Sequence, residues 1–418
     1  MQKTKPMRGR EVMSARRIIE VTCSIVMVVT LMFIASAPVS AASSGAEKTL
    51  RIGVIANLGW PLGLDLKRGS ELMAGLANQK GGIDIGGAKY KVDLIVYDSK
   101  GAQEGARSAA ERLILQDKVK FIIGDETVDA WLPLAESHKV LVVSETPNPE
   151  VLSPKYKYSY QGTSVPTQFQ IVYGWYMKNT LNVKTFVTAQ PDNRIGHFVA
   201  AAIDQMASPF GFKVLDHLFY PPESTDFGAI ATKVKSLSPD VFAEMAGGPV
   251  VDSQVLKAVV QSGFKGRMFE PSPVPGEIME ATFPMQQLEG MIAGAHATEK
   301  DPLPPVAKEF MDVYKAKYPK DVPEPTEVNM YYLLIQAAQK ARSVDPEKVN
   351  AVLGSGFTYE SPSGVGKMIP RPDLGNKKTV DTIVGLSIKR VQGGKPVVIY
   401  TMTPDEAYGY CKTAFGWK

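Results

Sequence analysis

The chain has 418 residues, 44% of them hydrophobic, with 47 Lys/Arg against 43 Asp/Glu and a formal net charge of +4. That excess sits in one place: residues 1–41 hold six bases (Lys3, Lys5, Arg8, Arg10, Arg16, Arg17) and two acids (Glu11, Glu20), which leaves 41 of each sign beyond them. A neutral remainder excludes a charge argument for nucleic acid or an anionic membrane surface as partner, and its single thiol, Cys411, excludes an internal disulfide.

In chain order, the first element is a targeting segment. Arg16-Arg17 precede an apolar run over 21–35, and the small residues Val39, Ser40, Ala41 and Ala42 follow. A basic start, an apolar middle and a small-residue exit make a cleavable secretory signal, residues 1–41, cut near Ala41 or Ala42. Met13 serves equally well as a start. The run is short for a membrane span, so the expected destination is the periplasm.

After a polar linker over 42–48, short apolar runs alternate with helical patterns. Residues 51–55 read as a buried strand and 64–80 as a helix with Leu72, Met73 and Leu76 on one face, ended by Gly81-Gly82. Tyr90, Val92, Leu94 and Val96 show the period of two of a strand. An alanine-rich helix is predicted over 102–116, strands over 119–123 and 140–143, and a helix between them over 129–137. The series repeats with strands at 184–188, 212–219, 240–244, 267–269 and 291–295. Helices are expected at 196–206, 227–237 (with Asp226 as its cap), 250–262, 305–318, 326–342 and 346–353. From Phe357 onward the pattern turns to glycine-punctuated β structure, with a hairpin of 382–390 and 396–400 around Gln392-Gly393-Gly394.

Strand–helix alternation implies parallel sheets covered by helices on both faces. Two such series predict an α/β chain of two doubly wound parallel-sheet lobes. Ligands in such sheets bind beyond the carboxyl ends of the strands, which selects the segments 57–64, 125–131, 144–150, 190–196, 244–249 and 270–275. Trp60 is placed either to cover a ligand or to lid the core beneath it; Trp131 reads as core. Thr127, Ser144 and Thr146 are hydroxyl donors for a ligand or caps of local turns. Glu126, Glu145, Glu244 and Glu270 stand out as a set, because enclosing carboxylates without partners costs several kcal/mol, of the order of the desolvation penalty of each ion. A ligand meeting two of them should bring an ammonium, an amide or other strong donors. Arg194 either grips a ligand carboxylate or ties the lobes together. Asp192, Gln161 and Ser272 complete the candidates.

No G-x-S-x-G elbow, H-E-x-x-H helix, Walker loop or paired-cysteine site occurs in the sequence. The histidines at 138, 197, 217 and 296 lack ligand spacing, so neither a metal nor a cofactor is expected. Paired acids in a cleft would also suit glycoside hydrolysis, the best enzymatic rival.

The segments 51–53, 81–82, Val96-Tyr97-Asp98-Ser99 and 109–124 resemble type I periplasmic binding proteins, specifically the leucine/isoleucine/valine-binding-like receptors of ABC transporters. Ser224-Thr225-Asp226-Phe227, Ser238-Pro239-Asp240-Val241 and 290–294 continue the match over the whole chain after the signal. The resemblance implies two lobes joined by three hinge crossovers, lobe one being 49–162 with 297–355 and lobe two 163–296 with 356–418. It implies hinge closure on an amino acid or related small solute, an inner-membrane permease as partner, a monomer and no catalysis; a sensory receptor of the same fold is the alternative role. It also implies a carboxylate site of hydroxyls and N–H groups in lobe one and an acidic side chain for the ligand's ammonium. Here Asp125, Glu126 and Thr127 stand where the family has consecutive serines. Ser144-Glu145-Thr146-Pro147 stands at the Ser-Pro loop, Ile195-Gly196 at the aromatic-glycine pair, and Ser272, with Glu270 nearby, at the acidic position.

Overall fold

The computed structural model describes residues 48–146, 148–163, 166–270, 282, 284–295, 303–319 and 325–417. Within the first lobe, strand β1 (Lys48–Ala56) is enclosed along its carboxyl half, where Ile52, Val54 and Ile55 are fully buried. That is the pattern of a central strand with helices on both faces. It pairs in parallel with β3 (Ala88–Asp98) and β4 (Phe121–Gly124), and β5 (Leu141–Ser144) and β6 (Ser159–Gln161) continue the sheet. Strand β2 (Ile83–Ile85) turns back on β3 through Gly86-Gly87, both at positive φ, and is the one antiparallel edge of the order β2-β3-β1-β4-β5-β6.

Helix α1 (Pro61–Gln79) starts on proline at its first position, where no N–H is needed. It buries Leu66 and Met73, and ends before Gly81 and Gly82 at φ +92°. The expected long alanine-rich helix is α2 (Gln103–Glu111), which runs on into a π turn over Arg112–Gln116 closed by the Asp117 N–H on the Arg112 carbonyl. Trp131 is core, between a short 3-10 turn (Val128–Ala130) and α3 (Leu132–Ser137). A Cβ at Gly124 would lie 2.7 Å from its ring, so only glycine fits there.

The second lobe begins with α4 (Pro166–Asn179) and β7 (Thr185–Pro191). Next come α5 (Arg194–Phe210), β8 (Lys213–Tyr220), α6 (Gly228–Leu237) and β9 (Val241–Glu244). The run closes with α7 (Pro249–Gln261), β10 (Arg267–Glu270) and β11 (Ile292–Ala295). Asp226 caps α6 from two residues ahead, its carboxylate accepting the Gly228 N–H at 2.9 Å. The chain then returns to the first lobe, whose core receives Phe310 and Tyr314 from α8 (Pro305–Lys317), Met330 and Leu334 from α9 (Pro325–Ala341), and Val349 from α10 (Pro346–Gly354).

The expected strand over 382–390 is two strands. Residues 382–384 end β14 (Asn376–Val384), which pairs with β13 (Gly364–Arg371), itself paired with β12 (Thr358–Ser361). At Gly385 the chain changes sheets, and β15 (Leu386–Gln392) and β16 (Lys395–Met402) join β11 to give the order β16-β15-β11-β10-β9-β7-β8. A continuous apolar pattern carries no mark of where hydrogen-bonding partners change. The hairpin itself is present, with Gly393 and Gly394 both at positive φ, as a two-residue turn of this hand requires.

The small antiparallel sheet joins the lobes. Met368 and Val380 pack into the first core, while Ile369 and Ile383 pack into the second. Alternation of side chains along each strand puts one face of this sheet into each lobe. Helix α11 (Pro404–Phe415), opened by a Thr403/Glu406 capping box, closes the second core with Ala407 and Cys411.

Candidate ligand-binding cleft

The loops at the carboxyl ends of β1 and β4 in one large sheet and of β7, β8 and β9 in the other line one crevice. Between them lies a cavity of about 400 Å³, walled from one lobe by Asn57, Trp60, Glu126 and Thr127 and from the other by Arg194, Tyr220 and Gly247. Four of the residues selected from sequence therefore line it: Trp60, Glu126, Thr127 and Arg194.

The loop after β4 is held from beneath by Asp125. Its buried carboxylate accepts the Ser99 hydroxyl at 2.6 Å, the Thr127 N–H at 3.0 Å and the Thr127 hydroxyl. Burial raises the Asp125 carboxyl above its usual range, and these bonds oppose the rise. Glu126, next along, is pushed up to about 8 by burial first, then by the Asp125 charge and, more weakly, by Glu145; Arg194 offsets part of this.

Arg194 opens α5, held there by Asn193, whose side chain accepts the Gly196 N–H at 2.9 Å. A Cβ at residue 196 would sit 1.9 Å from the Pro191 carbonyl oxygen, so this tight entry requires glycine. From this position the guanidinium crosses the cleft. It donates to the Asp129 carboxylate at 2.7 Å and to the Glu126 carbonyl at 3.0 Å, with side-chain exposures of 33% for Arg194 and 23% for Asp129. Of the two roles open to Arg194, the geometry shows the tie between lobes. Trp60 also spans the gap: its Nε1 lies 3.3 Å from where a Cβ of Gly248 would be.

Behind the second-lobe wall, Glu244 is fully buried and accepts the Tyr220 hydroxyl at 2.6 Å. Asp252, in the first turn of α7, and Glu270, at the end of β10, are buried with it. Burial pushes Glu244 up to about 7, with Glu270 adding to the rise and the bonds from Asp252 and Tyr220 opposing it; burial and the Glu244 charge hold Asp252 well above its ordinary range.

Ser144 and Gln161 are neighbours across β5 and β6, both fully buried, and among the described residues the Ser144 hydroxyl and both Gln161 amide atoms meet no hydrogen-bond partner. Thr146 is buried and accepts the Asn148 N–H, a turn-capping contact. Glu145 is half-buried. Asp192 is exposed on the rim, 2.8 Å from His197 Nε2. Ser272 lies outside the described residues. Among these residues no group of His, Cys, Asp and Glu is placed to hold a metal ion, and no helix is long and apolar enough to cross a membrane.

Sequence reasoning missed Tyr220 and Asp252; Asn57 and Gly247 lie in the selected segments 57–64 and 244–249 without having been singled out. Tyr220 falls one residue past the strand expected at 212–219, so the rule about carboxyl ends would have found it with a truer boundary. Asp252 reads as an ordinary first-turn acid, and nothing local marks it as buried.

A family model described as periplasmic binding protein matches residues 49–381. The chain belongs to that family. Its fold is that of a leucine binding protein from Thermotoga maritima MSB8, at a TM-score of 0.68 and 22% identity over 85% of this chain and 99% of that one. A solute binding protein of an ABC transporter from Rhodopseudomonas palustris HaA2, in complex with p-hydroxybenzoic acid, gives 0.68 and 20% over 87% and 99%. A branched chain amino acid ABC transporter periplasmic ligand-binding protein from Burkholderia xenovorans LB400 gives 0.69 and 17% over 86% and 97%. The family's two-lobed frame accounts for the cleft, and the residues that line it are this chain's own.

Proposed function

We propose that the mature chain, freed of residues 1–41 near Ala41 or Ala42, works in the periplasm as a monomer that captures a small polar solute between its lobes. It presents that solute to the permease of an ABC importer. The observation that carries this reading is the cavity of about 400 Å³ lined from both lobes, a size that suits a small organic molecule. The proposed lobes are 49–162 with 297–355 and 163–296 with 356–418, joined by three hinge crossovers, with Phe357, Tyr359, Met368 and Val380 of the last range packed into the first core. The solved relatives are described as a leucine binding protein and as a complex with p-hydroxybenzoic acid, which sets the scale of solute to test.

Closure needs no bond chemistry. A solute that touches both walls only when they meet binds that state better, and this difference shifts the population. Trp60, Glu126 and Thr127 are the proposed contacts from the first lobe, with Ser144, Glu145, Thr146 and Gln161 deeper and toward the hinge. Arg194, Glu244 and Glu270, with Asp192 and Ser272, are those of the second. The test is to denature the purified protein, identify by mass spectrometry what it releases, and return that compound to fresh protein. At a hundred times its dissociation constant it should stabilise the fold by about 2.7 kcal/mol and be recovered unchanged. Chemical turnover of the compound would overturn the reading.

A further inference from the structure

We propose that the end of the solute seated against the first lobe is a nitrogen cation (ammonium, guanidinium or amidinium) and not a carboxylate. This rests on the solute-binding reading and follows from which groups in the cleft are already engaged. A carboxylate needs N–H and O–H donors. Several donors at this wall are engaged internally: Ser99 Oγ, Thr127 N and Thr127 Oγ1 all donate to Asp125, while the unpartnered Ser144 hydroxyl and Gln161 amide are buried outside the cavity lining. Leu58 N donates to Asp98, and Gly59 N and Trp60 N to Asn57. Across the cleft, Gly196 N donates to Asn193, Tyr220 Oη to Glu244, and the Arg194 guanidinium to Asp129 and the Glu126 carbonyl.

What the first-lobe wall offers is an acid. Glu126 lines the cavity, and the charges that act on it are Asp125 on its own loop, Glu145 on the loop after β5, and Arg194 from α5. Arg194 is itself neutralised by Asp129. A carboxylate there would meet two further acids beside Glu126 and a cation already paired; a nitrogen cation would meet complementary charge from Glu126, Asp125 and Glu145, with the like charge of Arg194 held by Asp129.

The sign of the pH dependence separates the cases. Glu126 titrates at about 8 because burial and its acidic neighbours favour the neutral form. A cation binds the ionised form, so apparent affinity rises with pH by up to about tenfold per unit below that value and levels above it. An anion would show the reverse, losing affinity as Glu126 ionises.

The experiment uses benzoate and benzamidine, which share a ring and differ in the charge of the planar head group, titrated calorimetrically into the protein from pH 6 to pH 9. Benzamidine should bind at least tenfold tighter than benzoate at pH 7.5, gain affinity up to about pH 8, and lose both the gain and at least tenfold in affinity in Glu126→Gln. The pH trend in the wild type stands even if that variant folds poorly. Benzoate binding as tightly, or benzamidine affinity that falls as pH rises, would overturn the inference while leaving solute binding intact.

Discussion

Arg194 is the residue on which closure turns most visibly, because its partners belong to the other lobe. The guanidinium–Asp129 pair is about a third exposed on the arginine side, which limits the ion pair itself to about 0.2–1 kcal/mol. The second bond, to the Glu126 carbonyl, is charge-assisted and adds an energy of the same order. Together they predict that Arg194→Ala weakens solute binding by roughly tenfold, since 1.4 kcal/mol is one decade. The loss should fall on the dissociation rate, because these bonds exist only after the lobes meet. Stopped-flow kinetics that show a slower association with unchanged release would place Arg194 in capture instead. The same residue shows what sequence makes legible. That a cation stands in a cleft-facing turn followed from strand–helix order, whereas its partner Asp129 is far away in the chain and only folding brings them together. Glu126 was visible for the same reason as Arg194. The buried Glu244–Tyr220–Asp252 set was only partly so, since burial of a polar residue is decided by what packs over it.

At the scale of elements, the small sheet β12–β14 does most to connect the two bodies, and it holds a buried charge network. Arg371 donates to Asp381 at 2.9 Å and to Asp373 at 2.7 Å; Arg371 and Asp381 are buried. Burial alone would lower the Arg371 pKa and raise that of Asp381, but the two aspartates hold the guanidinium firmly charged. Asp381→Ala leaves the guanidinium paired with Asp373 but takes the acceptor from its buried Nη1, so it should cost about 1–3 kcal/mol, read as a lower midpoint in urea unfolding. A change below 1 kcal/mol would mean that water reaches Arg371 in solution. Periodicity located most of the helices and parallel strands to within a few residues, because each buries one continuous stripe or face, but it did not show α4 (Pro166–Asn179), α11 (Pro404–Phe415) or the short parallel strand β6 (Ser159–Gln161). It failed at 382–390, where the alternation is unbroken but the strand's neighbours change at Gly385. The Arg371–Asp381 pair was equally hidden, since register irregularities at Pro370 break any simple spacing across β13 and β14.

For the whole molecule, the cleft, the two cross-lobe contacts and the jointed sheet describe a clamp. Arg194 on Asp129 and Trp60 beside Gly248 bring the walls together in this conformation, and the shared sheet packs one face into each of two separate cores, an arrangement in which the proposed closure would change the angle between the lobes. Hinge motion of this kind alters overall dimensions while preserving the cores. The most direct measurement is small-angle X-ray scattering on residues 42–418, with and without a saturating amount of the compound released from the purified protein. The expected result is a smaller radius of gyration on saturation, with the compound recovered intact. A scattering curve that does not change at full occupancy would contradict closure of two lobes on a solute.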